Sequence, residues 1–245
     1  TAGNLYFENA GGYTFTGSEI SIVTGGIITN DTTSGTTTFN CSVTGSPNVI
    51  LNAQTIDFSP DSGSTTLGII TVNSGSFTIG GSTTNNSLIS IPKVNSNYSF
   101  AKNGTGTWTV GDLYAGHINI NAGVLIANGT LKNDYRNITL YSGATLHYNN
   151  AAAVQDRGGT GNDWNIYGGS LDNTSGSAIT TSTTNPRQRW YGDWEFIGSN
   201  GASSDLTLGN GDVVLYTANR TITITHPQTT LTIAGIIQGA YSLTK

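Results

Sequence analysis

Charge is the scarcest property of this chain. Asp, Glu, Lys and Arg together make up 9% of its 245 residues, where a soluble globular domain ordinarily carries roughly a quarter. Nine basic and fourteen acidic residues leave a net charge of −5. No cluster of Lys or Arg exists to displace counterions from a phosphate backbone, which argues against nucleic acid as a partner. Cysteine occurs once, at Cys41, so an intrachain disulfide and a thiolate metal site are both excluded. Methionine is absent, and there is neither a secretory leader nor an apolar run of the length a membrane-spanning helix needs. Helical periodicity is missing as well. Its one short candidate, residues 151–156, runs into Gly158-Gly159 and reads as a loop or single turn.

Glycine, threonine, serine and asparagine fill the places that charge leaves empty. Apolar residues still reach 36%, enough to bury a core, and they recur in strict alternation: EISIV from Glu19, GIITV from Gly68, TWTV from Thr107, HINI from His117, TITIT from Thr221. A period of two places a row of Ile, Val and Leu on one face of each strand and Thr, Ser and Asn on the other. Gly, Asn, Asp and Ser punctuate these short strands, as tight turns require. A longer rhythm lies over the alternation. Gly123, Gly143 and Gly169 each precede a leucine by two or three residues, at offsets of 20 and then 26. Coils of that length predict a parallel β-helix, or β-solenoid, with an antiparallel β-sandwich as the alternative. Residues 87–110 and 230–245 also repeat one phrase, a strand, a turn and a short strand ending in Lys102 and Lys245. That repeat, and a first residue that is Thr1 and not Met, predict one solenoid segment over residues 1–245, a fragment of a longer repetitive chain. Residues 156–196 hold three of the four tryptophans and are expected to form an irregular insertion, or an irregular rung, within the one solenoid.

Residues 100–125, FAKNGTGTWTVGDLYAGHININAGVL, carry Lys102, Gly104, Gly106, Thr107, Trp108, Val110, Tyr114, Gly116, Ile118, Ile120, Gly123 and Leu125 in one pattern. This pattern resembles the autotransporter-associated β-strand repeat, departing from it at Asp112-Leu113 ahead of Tyr114. The resemblance implies a right-handed parallel β-helix in a long bacterial polypeptide that is secreted or displayed at the cell surface.

Asp193 and Glu195, two residues apart beside Arg187, Arg189, Trp190 and Tyr191, are the strongest enzyme candidates, since paired carboxylates cleave glycosidic bonds. The competing reading is a structural ion-pair cluster in which Arg189 and Asp193 secure a protruding loop. Trp164, Trp190, Tyr191, Trp194, Arg187 and Arg189 are the expected glycan contacts, as aromatic rings stack on sugars. Residues 156–163, from Asp156 to Asp163, hold one Gly-Gly-x-Gly-x-Asp turn and offer a weak calcium site, because firm binding needs several such turns stacked. His117, His147 and His226 have no metal-ligand spacing and read as exposed polar residues. Threonine and asparagine ladders are expected to hydrogen-bond from coil to coil along the outside. The function these features predict is structural and non-catalytic, in adhesion or scaffolding at a bacterial surface. Its partners would be glycans, a host or neighbouring cell surface, or further copies of itself in a filament. A β-helix polysaccharide hydrolase or lyase using Asp193 and Glu195 is the enzymatic alternative.

Overall fold

A computed structural model describes residues 2–9, 11–52, 54–73, 75–91, 99–133, 137–156, 163–181 and 187–245. Strands of three to five residues bury too little area to stand alone, and here they gain it by stacking. The chain winds into a parallel β-solenoid of about nine turns, each strand hydrogen-bonded to the equivalent strand one coil on. The antiparallel sandwich is thereby ruled out. The longest sheet has eleven strands, running from Thr14–Phe15 through Ser99–Lys102, His117–Ile120, Ile138–Leu140, Asp163–Ile166, Arg187–Trp190 and Val213–Leu215 to Ile237–Gln238. A ten-stranded sheet runs from Val154–Asp156 through Leu131–Asn133 and Thr107–Ala115 to Leu243–Thr244, with Thr84–Ile91 joined to it on Thr107–Ala115. Four strands, Leu5–Asn9, Ile27–Thr32, Asn48–Leu51 and Ile70–Val72, make a separate sheet in the first coils.

Register converts the alternation of each strand into continuous columns. Phe39, Phe58, Ile79, Lys102, Ile120, Leu140, Ile166, Trp190 and Leu215 follow one another along the inside of the long sheet. In the early coils that interior is a pile of phenylalanines. Phe15 stacks on Phe39 at 4.9 Å between ring centroids and Phe39 on Phe58 at 4.8 Å, and the pile continues through Phe77 to Phe100. Lys102 interrupts the column with a fully buried amine. Its three N–H donors are all used, on the carbonyls of Asn103 at 2.6 Å, Gly104 at 3.0 Å and Ala122 at 2.9 Å. Burial lowers its pKa to about 8.

Coils lie so close that turns meet backbone to backbone. Gly169 has φ +82°, and a Cβ there would come 2.5 Å from the Ala144 carbonyl oxygen, so neither the dihedral nor the space admits another residue. The outside carries the expected ladders. Asn121 donates to Asn103 at 2.7 Å, Asn149 to Asn128 at 2.7 Å and Asn73 to Asn52 at 2.6 Å.

Two expectations are corrected. The region from residue 156 to residue 196 is not an insertion in its described parts. Asp163–Ile166 and Arg187–Trp190 take their places in the long sheet, and Ser170–Asn173 and Trp194–Phe196 in the ten-stranded one, all in register with the coils on either side. Residues 151–156 are not a loop throughout: Val154–Asp156 is a strand paired with Leu131–Asn133.

Candidate functional site

Just past each strand of the long sheet the chain places one more outward residue before it turns. In the middle coils that position holds Asn103 and then Asn121; in the next four it holds Tyr141, Tyr167, Tyr191 and Tyr216. Their amides bind the preceding coil, Tyr167 to Leu140 at 2.9 Å and Tyr191 to Ile166 at 2.7 Å, so the backbone fixes the spacing of the side chains. The rings stack from coil to coil. Centroids lie 5.4 Å apart for Tyr141 and Tyr167, 4.5 Å for Tyr167 and Tyr191, and 4.8 Å for Tyr191 and Tyr216, with planes within 12°, 6° and 27° of parallel. Tyr141 and Tyr167 keep 39% and 44% of their surface exposed. Ring faces are spent on neighbouring rings, so the ladder offers solvent its edges and a row of hydroxyls. Burial, followed by the adjoining Tyr191 and Tyr141, raises the Tyr167 pKa, which keeps that hydroxyl a proton donor at neutral pH.

Beside the ladder, Arg187, Arg189 and Tyr191 point outward from one strand while Gln188 and Trp190 point in. The two guanidiniums share one carboxylate of the previous coil. Arg187 Nε lies 2.8 Å from Asp163 Oδ1, and Arg189 Nε lies 2.7 Å from Asp163 Oδ2. Asp163 is buried beneath them, whereas the Arg187 side chain remains 44% exposed. Arg189 also hydrogen-bonds Tyr191 and sits 5.3 Å from the centre of the Tyr216 ring. The result is an outer row of stacked phenols with the Arg187 and Arg189 guanidiniums beside it.

Three of the expected glycan contacts do not reach that surface. Trp164, Trp190 and Trp194 are 2%, 0% and 3% exposed. Trp190 packs edge-to-face on Trp194 at 5.2 Å and donates its indole N–H to Gln188 at 3.1 Å. They are core residues, because strand parity turns them inward. Tyr191, Arg187 and Arg189 do lie on the surface, together. Tyr141, Tyr167 and Tyr216 escaped the sequence reading. Their signal was a tyrosine directly after the last inward residue of four successive strands, in Leu-Tyr, Ile-Tyr, Trp-Tyr and Leu-Tyr.

The carboxylate pair is employed elsewhere. Glu195 faces outward from the ten-stranded sheet and accepts hydrogen bonds from Ser170 at 3.0 Å and from Thr225. Asp193 precedes that strand, accepts the Thr221 amide at 2.9 Å and lies 4.0 Å from Arg220. The ion pair expected between Arg189 and Asp193 is replaced by those of Arg189 with Asp163 and Arg220 with Asp193. In the calcium reading, residues 157–162 lie outside the described residues, and both Asp163 oxygens are held by guanidiniums. Among the described residues no group of three or more His, Cys, Asp or Glu is arranged to hold a metal ion, and no helix is long and apolar enough to cross a membrane. His147 is not an exposed residue: burial lowers its pKa, against the opposing effect of Asp172. No protein-family model matches the chain, and no curated protein or solved structure matches it either.

Proposed function

We propose that this chain is a rigid, non-catalytic stretch of a secreted or surface-displayed solenoid that serves adhesion or scaffolding. The observation that carries this reading is the four-ring ladder, where side-chain order on the outer face exceeds what coil stacking needs. Asparagine at the same column position already serves the fold in the two coils before the ladder begins. The carboxylates that chemistry would require are instead tied into structural hydrogen bonds, which supports a non-enzymatic role. The resemblance of residues 100–125 to the autotransporter-associated repeat supports a bacterial surface location. Beads coated with the chain are expected to attach to cells, and attachment is expected to fall when the ladder is removed. Failure to attach under any condition would remove adhesion, and polysaccharide cleavage abolished by Asp193→Ala would establish the enzyme instead.

A further inference from the structure

We infer that the tyrosine face of the long sheet binds an acidic polysaccharide, a carboxylate-bearing sugar chain laid along the solenoid axis. This rests on the adhesion reading and gives it a ligand class. Three properties of the face carry it.

The first is repetition. Tyr141, Tyr167, Tyr191 and Tyr216 present one phenol edge and hydroxyl per coil at 4.5–5.4 Å, a periodic row suited to a periodic polymer. Mutual stacking holds the rings in place before any ligand arrives, so little side-chain freedom is lost on binding. The second is charge. Arg187 and Arg189 face one carboxylate, Asp163, which they bury. Asp212, one coil on from Arg187, directs an oxygen at the Ile236 amide at 3.2 Å. Asp163 engages Arg187 through Nε, and among the described residues the 44% exposed guanidinium keeps an outer edge toward solvent, where a fork of N–H donors can match an incoming carboxylate with two parallel bonds. The two guanidiniums and the two carboxylates cancel in sum, but Asp163 is buried while the Arg187 side chain is 44% exposed, so the charge this cluster turns to solvent beside the ladder includes a guanidinium. The third is what the face lacks. The row beside the ladder is Thr139, Asn165, Arg189 and Val214, of which Thr139 and Asn165 are buried and Val214 half-buried, so these residues offer little of the exposed aliphatic area that a protein partner would need to bury.

The ladder also stabilises the fold, so the test replaces tyrosine with asparagine, the residue the same column uses in the coils before the ladder begins. Wild type, Arg187→Gln and the double variant Tyr167→Asn/Tyr191→Asn are passed over immobilised polygalacturonate and, in parallel, over neutral dextran. The inference expects retention on polygalacturonate and not on dextran, weakening as salt rises. It expects roughly tenfold weaker binding in each variant, the scale of one lost charge-assisted hydrogen bond, with both variants still unfolding cooperatively and melting a few degrees below wild type. Equal retention on both polymers, retention on neither, or unchanged binding in both variants would overturn it. Bead attachment to cells is measured with the same proteins. Beads that attach while polygalacturonate is not retained would sink the acidic ligand and leave adhesion standing. Retention on polygalacturonate without attachment to cells would support the ligand and remove adhesion.

Discussion

Two aromatic piles run along this solenoid, one inside its early coils and one outside its later ones. Phe15, Phe39 and Phe58 stack at 4.8–4.9 Å within the core; Tyr167, Tyr191 and Tyr216 stack at 4.5–4.8 Å on the surface. The spacing is the same because the backbone sets it: parallel strands lie one hydrogen bond apart, and like residues in register inherit that distance. What differs is the alternative each ring has. A phenylalanine leaving the inner pile would open a void that nothing fills, whereas a tyrosine leaving the outer pile would meet water. Equal geometry therefore carries unequal free energy, and only the outer pile is free to serve a ligand.

The largest expected effect breaks the inner pile. Phe58 is fully buried between Phe39 and Phe77. Phe58→Ala is expected to cost about 4 kcal/mol of unfolding free energy in a denaturant titration, the usual sum of lost transfer energy and a residual cavity. Tyr191→Asn, in the middle of the outer pile, is expected to cost about 1 kcal/mol, since ring pairs contribute in that range and no cavity forms. Costs of similar size for the two would show that the outer ladder is as much a part of the core as the inner one.

Lys102 interrupts the inner column with a charge and gives it a pH dependence. Burial lowers its pKa from 10.5 to about 8 in the folded chain. Between those values the unfolded chain holds the proton more tightly, so raising the pH favours folding. Below about 8 both states are protonated and the burial penalty is fully present; above 10.5 it is gone. Wild type is expected to gain up to about 3 kcal/mol across that window, relative to Lys102→Met, whose profile lacks this step. Parallel profiles for the two proteins in urea titrations from pH 7 to pH 11 would show that the three carbonyls hold the ammonium well enough to offset its burial.

Alternation read the strands, and the recurrence of Gly123, Gly143 and Gly169 at 20 and 26 residues favoured stacked coils over the sandwich that alternation alone left open, because a fold made of repeated strands writes its register into every coil. The same parity held the answer for residues 187–191, with Arg187, Arg189 and Tyr191 on one face and Gln188 and Trp190 on the other. Grouping the aromatics by nearness in sequence concealed it and sent Trp190 to the surface. The tyrosine ladder was harder to see. Its rings stand 24–26 residues apart in sequence, past the end of each alternating run, and become neighbours only once the coils are laid in register. The pairing of Asp163 with Arg187 and Arg189 has the same origin: residues one coil apart meet, and residues two apart on a strand do not share a partner unless the next coil supplies one.

The smallest effect concerns a tyrosine on the wrong side of this comparison. Tyr148 lies inside, fully buried, with its ring edge-on to Trp164 at 6.3 Å. Its hydroxyl has no hydrogen-bond partner among the described residues, and burial holds its pKa well above the ordinary value. The outer tyrosines have solvent for their hydroxyls; this one has forgone solvent and gained no replacement. Removing one buried, unpaired polar atom while keeping the ring relieves a desolvation penalty at no cost in packing. Tyr148→Phe is therefore expected to raise stability by about 1 kcal/mol, seen as a higher denaturant midpoint with an unchanged slope. The corresponding change outside, Tyr167→Phe, is expected to leave stability where it is and to weaken retention on polygalacturonate, because there the hydroxyl faces the ligand. A loss of stability in Tyr148→Phe would mean that the inner hydroxyl is satisfied after all, by a water held in the core.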